Sequence, residues 1–249
     1  MPRMTHTVVV DPITAELFEH LVDLAHEEAE AYLGHEEFPP VEGRPLAPGA
    51  RYATPGGTTE FTVEAWQPGV RTAGTYAERD ESQGTFALTG ELSGGRSSRA
   101  LSVSVEAEPG PGGFRLRRTG GDLSADVAAW WAGVARDRED TAAEPVVSGR
   151  LRHPMVRVWL DLTPGPGPDG RWSVRARLRV RGRGFGWLIS VFTFLGWPYV
   201  RRLFAREAEK VARTWDERVA LAKAMTDDEL RAVIRAQIRF AAGQSSRNP

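Results

Sequence analysis

Between about residue 50 and residue 184 the chain alternates, repeatedly, between apolar and polar side chains at a period of two. Phe61, Val63 and Ala65 are interleaved with Glu60, Thr62 and Glu64, and Phe86, Leu88 and Leu92 with Thr85, Thr89 and Glu91. Leu101, Val103, Val105 and Ala107 are interleaved with Ser102, Ser104 and Glu106, and Phe114 and Leu116 with Arg115 and Arg117. Successive side chains of a strand point to opposite faces, so each of these segments has one apolar face and one wet face. Val156, Val158, Leu160 and Leu162 repeat the pattern before the turn-forming TPGPGPDG of residues 163–170, and Trp172, Val174, Ala176, Leu178 and Val180 repeat it after, which predicts a hairpin. Strands of a parallel sheet are buried on both faces and read as continuous apolar runs. The alternation therefore predicts an antiparallel sheet of seven or more strands with one face covered.

What covers it is sought in the flanking segments. His6 to Val10 is a β-branched run closed by Asp11-Pro12, and a helical pattern with Leu17, Leu21, Leu24 and Tyr32 near one face follows. A proline- and glycine-rich connector separates that helix from the sheet. Residues 122–140 read as a short helix carrying Trp130 and Trp131, with Ser124 as its N-cap. Near the C-terminus, residues 199–224 place Val200, Phe204, Ala208, Val211, Trp215, Val219 and Ala222 on one stripe, with arginine and glutamate elsewhere. A capping box, Thr226 with Glu229, opens a further helix over 227–241. The expected class is α+β: one elaborated domain over residues 1–242, then a disordered tail over 243–249.

Composition removes several chemistries. With no cysteine, disulfides, thiolate metal sites and thiol nucleophiles are excluded, and five histidines leave little for metal or triad schemes. The pairs His20/Asp23 and His26/Glu30 have ligand-like helical spacing, but zinc sites need three or four converging ligands, so a solvated acidic helix face is expected and no metal. No G-x-S-x-G, P-loop or G-x-G-x-x-G occurs, which argues against a nucleotide cofactor. Lys+Arg of 32 against Asp+Glu of 33 makes nucleic acid an improbable partner overall. The start lacks a signal-like apolar segment and no run of 18 apolar residues occurs, so a cytoplasmic location is expected, with peripheral membrane contact open.

The segments VVVDPITAELFEHLVD (8–23) and WSVRARLRVRGRGFGWLISVFTFLGWPYVRRLFAREAEKVARTWDERV (172–219) follow the order strand, helix, last strand, apolar loop, long amphipathic helix. In this order the chain resembles the helix-grip fold of the SRPBCC (START-like) superfamily, which includes polyketide cyclase/dehydrase-like proteins. The resemblance implies a curved sheet gripping the C-terminal helix, with an apolar cavity between them for a polyketide- or lipid-like molecule. Phe61, Phe86, Leu88, Val103, Leu160, Trp172, Val174 and Leu178 on the sheet, with Phe204 and Trp215 on the helix, would then line the ligand site.

Two readings stay open. A cyclase or dehydratase would fold its substrate in the cavity and use His153 or Tyr76 to move a proton. A lipid-binding or transfer protein would need no ionisable group there. Residues 185–200, uncharged for 16 positions and carrying Phe192 and Phe194, are expected to gate the cavity and to touch a membrane or another greasy surface, with Arg181, Arg183, Arg201 and Arg202 at its ends. The ladder Arg171, Arg175, Arg177, Arg179, Arg181 and Arg183 would suit anionic lipid or an acidic carrier protein. Its alternative is pairing with Glu60, Glu64, Glu91, Glu106 or Asp161 across the strands.

Overall fold

The computed structural model describes residues 3–34, 39–53, 58–80, 84–96, 99–110, 118–136, 144–183 and 197–241. The chain runs β1 (Arg3–Val10), α1 (Ala15–Leu33), β2 (Arg51–Ala53), β3 (Thr59–Gln67), β4 (Arg71–Asp80), β5 (Gly84–Ser93), β6 (Ala100–Pro109), β7 (Thr119–Asp126) and α2 (Val127–Val134). It continues through β8 (Val147–Arg152), β9 (Val156–Pro166), a 3-10 turn at Pro168–Gly170, β10 (Trp172–Gly182), α3 (Trp197–Ala224) and α4 (Asp227–Ala241). The ten strands form one curved antiparallel sheet in the order β1-β10-β9-β8-β7-β6-β5-β4-β3-β2. Sequence neighbours from β2 to β10 pair in turn, and β1 closes against β10. The architecture is the α+β, sheet-plus-long-helix class that the alternation predicted.

Two local expectations are corrected. Residues 122–126, expected at the start of a helix, belong to strand β7, and α2 begins at Val127 with Asp126 rather than Ser124 as its cap, accepting from the Ala129 amide at 2.8 Å. The edge of β6 supplies pairing partners from Ala100 to Ala107, and this tertiary pairing outweighs a weak local helix signal. On α3 the contact with the sheet is made by Ala208, Ala212 and Val219 against Val8 and Val10, whereas Val211 is 68% exposed. Ala208 and Val219 belong to the predicted stripe, and the difference lies between them, where the small Ala212 rather than the bulkier Val211 packs in the core. The expected tail, 243–249, lies outside the described residues.

The helices cover the inner face at one end of the sheet. Val8, Val10, Trp172 and Val174 form a core with Ile13, Ala212 and Val219, sealed by α2: the Trp130 and Trp131 rings lie 5.8 and 5.4 Å from Trp172, and Phe18 of α1 meets Trp131 edge-on. A second core holds Leu33, Ala50, Tyr52 and Val63, in which the Tyr52 hydroxyl donates to the Leu33 carbonyl and accepts from the Leu46 amide, both at 3.0 Å.

Helix α1 crosses the strand ends between these cores, and several of its polar side chains hold partners on other elements. Glu19 is buried against Arg99, Asp23 binds Arg96 at 2.6 Å, His26 Nε2 lies 2.9 Å from the Thr72 hydroxyl, and the Trp66 indole donates to Glu30 at 3.0 Å. Glu27 and Glu28 bind Arg231 and Arg235 of α4. The expectation of a solvated acidic face thus holds for Glu16, Glu27 and Glu30, which are exposed, and fails for Glu19 and Glu28, which are buried. The Thr226/Glu229 capping box forms as predicted: the Glu229 carboxylate accepts from the Thr226 amide at 2.8 Å, and the Glu229 amide donates back to the Thr226 hydroxyl.

The His26 site carries a pH prediction. Burial, aided by the Arg99 guanidinium, holds the imidazole pKa below its ordinary value, so the folded state binds its proton less readily than the unfolded chain does. The contribution is complete above about pH 6.5 and is lost as pH falls through the unfolded and then the folded pKa. Melting temperature should therefore drop between pH 7 and pH 5, by less in His26→Gln than in the wild type. Equal drops would remove His26 as the cause.

Candidate functional site

Strand register defines two apolar rows on the inner face. Val103, Leu123, Gly149 and Leu160 stand side by side across β6, β7, β8 and β9, and Val105, Gly121, Leu151 and Val158 form the next row. Together they line a trough of about 380 Å³. Asp122 and Arg150 border it through the backbone, since strand alternation sends their side chains to the opposite face. Toward β5 the rows continue into Gly90 and Leu88, and then into Gly74 and Tyr76 on β4. The described parts of α1, α2 and α3 leave this region open: Phe86 is 39%, Leu88 37% and Leu151 42% exposed.

The glycines of the trough shape it. A Cβ at Gly149 would have as its nearest neighbours Leu160, Leu123 and the Asp122 carbonyl, at 3.7–3.8 Å, and one at Gly90 would meet nothing within 4 Å. Neither has a left-handed backbone, so neither crowding nor conformation requires glycine there. A glycine inside a strand weakens the sheet and often marks the close approach of a ligand or another chain. Here the missing side chains leave space over the inner face.

The residues named from sequence separate into groups. Val103 and Leu160 line the trough, Leu178 lies beside Leu160, Leu88 and Phe86 extend the same face across β5, and Tyr76 sits between Leu88 and Phe61. Phe61 itself packs against the second core, with its ring over Gly74. Trp172 and Val174 are buried in the first core. Phe204 is half-buried on α3, and Trp215 donates its indole N–H to the Asp11 carbonyl at 2.8 Å. His153 is in the β8–β9 turn, where its Nδ1 accepts from the Met155 amide at 3.2 Å, and it lines a separate polar depression of about 300 Å³ with Glu106, Glu108, Arg118, Arg152 and Arg183. His153 and Tyr76 are therefore not brought into one site. Phe192, Phe194 and the expected gate lie outside the described residues.

Leu123, Leu151, Gly121 and Gly149 were not singled out from sequence. Leu123 was hidden in the misassigned helix, and glycines carry no hydrophobic signal. Register alone, which places each opposite an apolar partner, reveals them.

Among the described residues no group of three His, Asp or Glu side chains could hold a metal ion, and no helix is long and apolar enough to cross a membrane. No protein-family model and no curated protein matches the chain. One solved structure, DynU16, a protein of the dynemicin biosynthetic locus, aligns over 97% of this chain and 94% of its own at 13% identity and a TM-score of 0.20. A score that low bears on neither fold nor function.

Proposed function

We propose that the chain is a helix-grip protein of the SRPBCC type that binds a hydrophobic, lipid- or polyketide-like molecule along the inner face of β5–β9. The observation that carries this reading is the trough itself: two aligned apolar rows, opened further by Gly121 and Gly149, with the neighbouring ionisable side chains on the other face. Apolar pockets with few polar groups suit greasy ligands. Because His153 lies in the β8–β9 turn outside the trough, binding or transfer is favoured over proton-transfer catalysis. A cyclase or dehydratase reading would rest on Tyr76 alone.

Native mass spectrometry of protein purified from its host, with 1-aminoanthracene titration of delipidated protein, tests the proposal. An apolar adduct lost on denaturation and saturable probe binding are expected. Absence of both would overturn it. Tyr76→Phe should leave probe affinity within about twofold, the range expected when no buried polar partner is orphaned; a bound species of different mass in this variant would instead indicate conversion.

A further inference from the structure

The convex face of the sheet, opposite the trough, is divided by charge. Its outward positions on β8, β9 and β10 set Arg152, Arg157 and Arg181 side by side, and the adjacent row carries Arg150, Trp159, Arg179 and, on β1, Arg3. Arg177 and Arg175 continue along β10. Glu60 on β3 is held by Arg51 and Glu91 on β5 by Arg71, while on the neighbouring strand β7 Asp122 stands opposite Arg150 and lies 3.8 Å from Arg152. Asp161, bound to Arg179 at 2.9 Å, is the one acid among the outward positions of β1, β8, β9 and β10.

Like charges directly opposite one another across a ladder destabilise it. Arg152, Arg157 and Arg181 form such a row, and the Nε atoms of Arg157 and Arg179 are buried without a hydrogen-bond partner among the described residues. An anion covering the face would relieve the repulsion along this row.

We propose that this convex face docks on an anionic lipid bilayer. The cations occupy a two-dimensional field, spaced by about 4.8 Å between strands and about 7 Å between like-facing residues along a strand, which matches a sheet of head groups rather than a single phosphate track. The aromatic ring within the field, Trp159, is covered by Arg179 at 6.0 Å from its centroid, so it offers no platform for base stacking.

The test is co-sedimentation with phosphatidylcholine vesicles with and without phosphatidylglycerol, for the wild type and for Arg152→Gln/Arg157→Gln/Arg181→Gln. Binding is expected only with phosphatidylglycerol, weakening as salt is raised, and about a hundredfold lower in the triple variant, the factor expected for three lost basic contacts at an anionic surface. The melting temperature of the variant should hold or rise, since the like-charge row is gone. Equal binding to neutral vesicles, or an undiminished triple variant, would overturn the proposal. So would a single-stranded oligonucleotide or an acidic carrier protein that binds with the same arginine dependence while the vesicles do not. The affinity of the triple variant for 1-aminoanthracene, read separately, should be unchanged, so failure here and failure of the trough proposal are distinguishable.

Discussion

Arg99→Ala is expected to destabilise the protein by about 3–5 kcal/mol, the usual cost of leaving one member of a buried ion pair without its partner. Arg99 is 3% and Glu19 8% exposed, and the Arg99 Nε donates to both Glu19 carboxylate oxygens at 2.8 Å. The Arg99 carbonyl also accepts from the Val127 amide at 2.9 Å, at the start of α2. One residue thus ties α1 and α2 to the β5–β6 end of the sheet. Against a total stability of roughly 5–15 kcal/mol for a folded protein, the loss is a large fraction. Urea unfolding measures it. The pair Glu19→Leu/Arg99→Met should recover most of the loss, because a buried ion pair replaced by apolar side chains of similar volume is often neutral. If Arg99→Ala unfolds at the wild-type urea midpoint, Glu19 has found another partner or water, and the ion pair does not hold the helix layer. The same substitution should raise the His26 pKa, since the Arg99 charge is one of the two causes that lower it.

The sheet was legible because burial of one face writes itself into the sequence at period two, and every strand with that signature formed where its residues are described. Strand β7 was not, because Gly120, Gly121 and Asp122 supply no alternation and its pairing comes from β6. The face of α3 was legible at Ala208 and Val219 and one residue off between them: hydropathy favours Val211, while close approach to β1 favours Ala212. The polar layer was the least legible part. Glu19 and Arg99 are 80 residues apart, and nothing local distinguishes Glu19 from the solvent-facing acids of the same helix. For the same reason the arginine ladder on β10 was ambiguous until register showed which residues stand opposite it. The trough was half legible: its valines and leucines alternate, but its shape depends on positions with no side chain.

Gly149→Leu turns that dependence into a second large effect. The position lies between Leu123 and Leu160, its backbone is open to any L-residue, and a Cβ there makes only ordinary contacts. A leucine would project into the trough of about 380 Å³ and occupy space the ligand needs. Replacing a strand glycine by an aliphatic residue also removes its excess chain entropy, worth roughly 0.5–1 kcal/mol, and adds apolar contact with its neighbours. Affinity for 1-aminoanthracene should therefore fall by at least about tenfold, the factor for 1.4 kcal/mol of lost or clashing contact, while the melting temperature holds or rises. Gly90→Leu, farther along the same row, should weaken binding of a long ligand more than that of the compact probe. The opposed signs of binding and stability separate occlusion from unfolding: a variant that loses both has merely been overpacked, and one that keeps both has a ligand site somewhere other than this face.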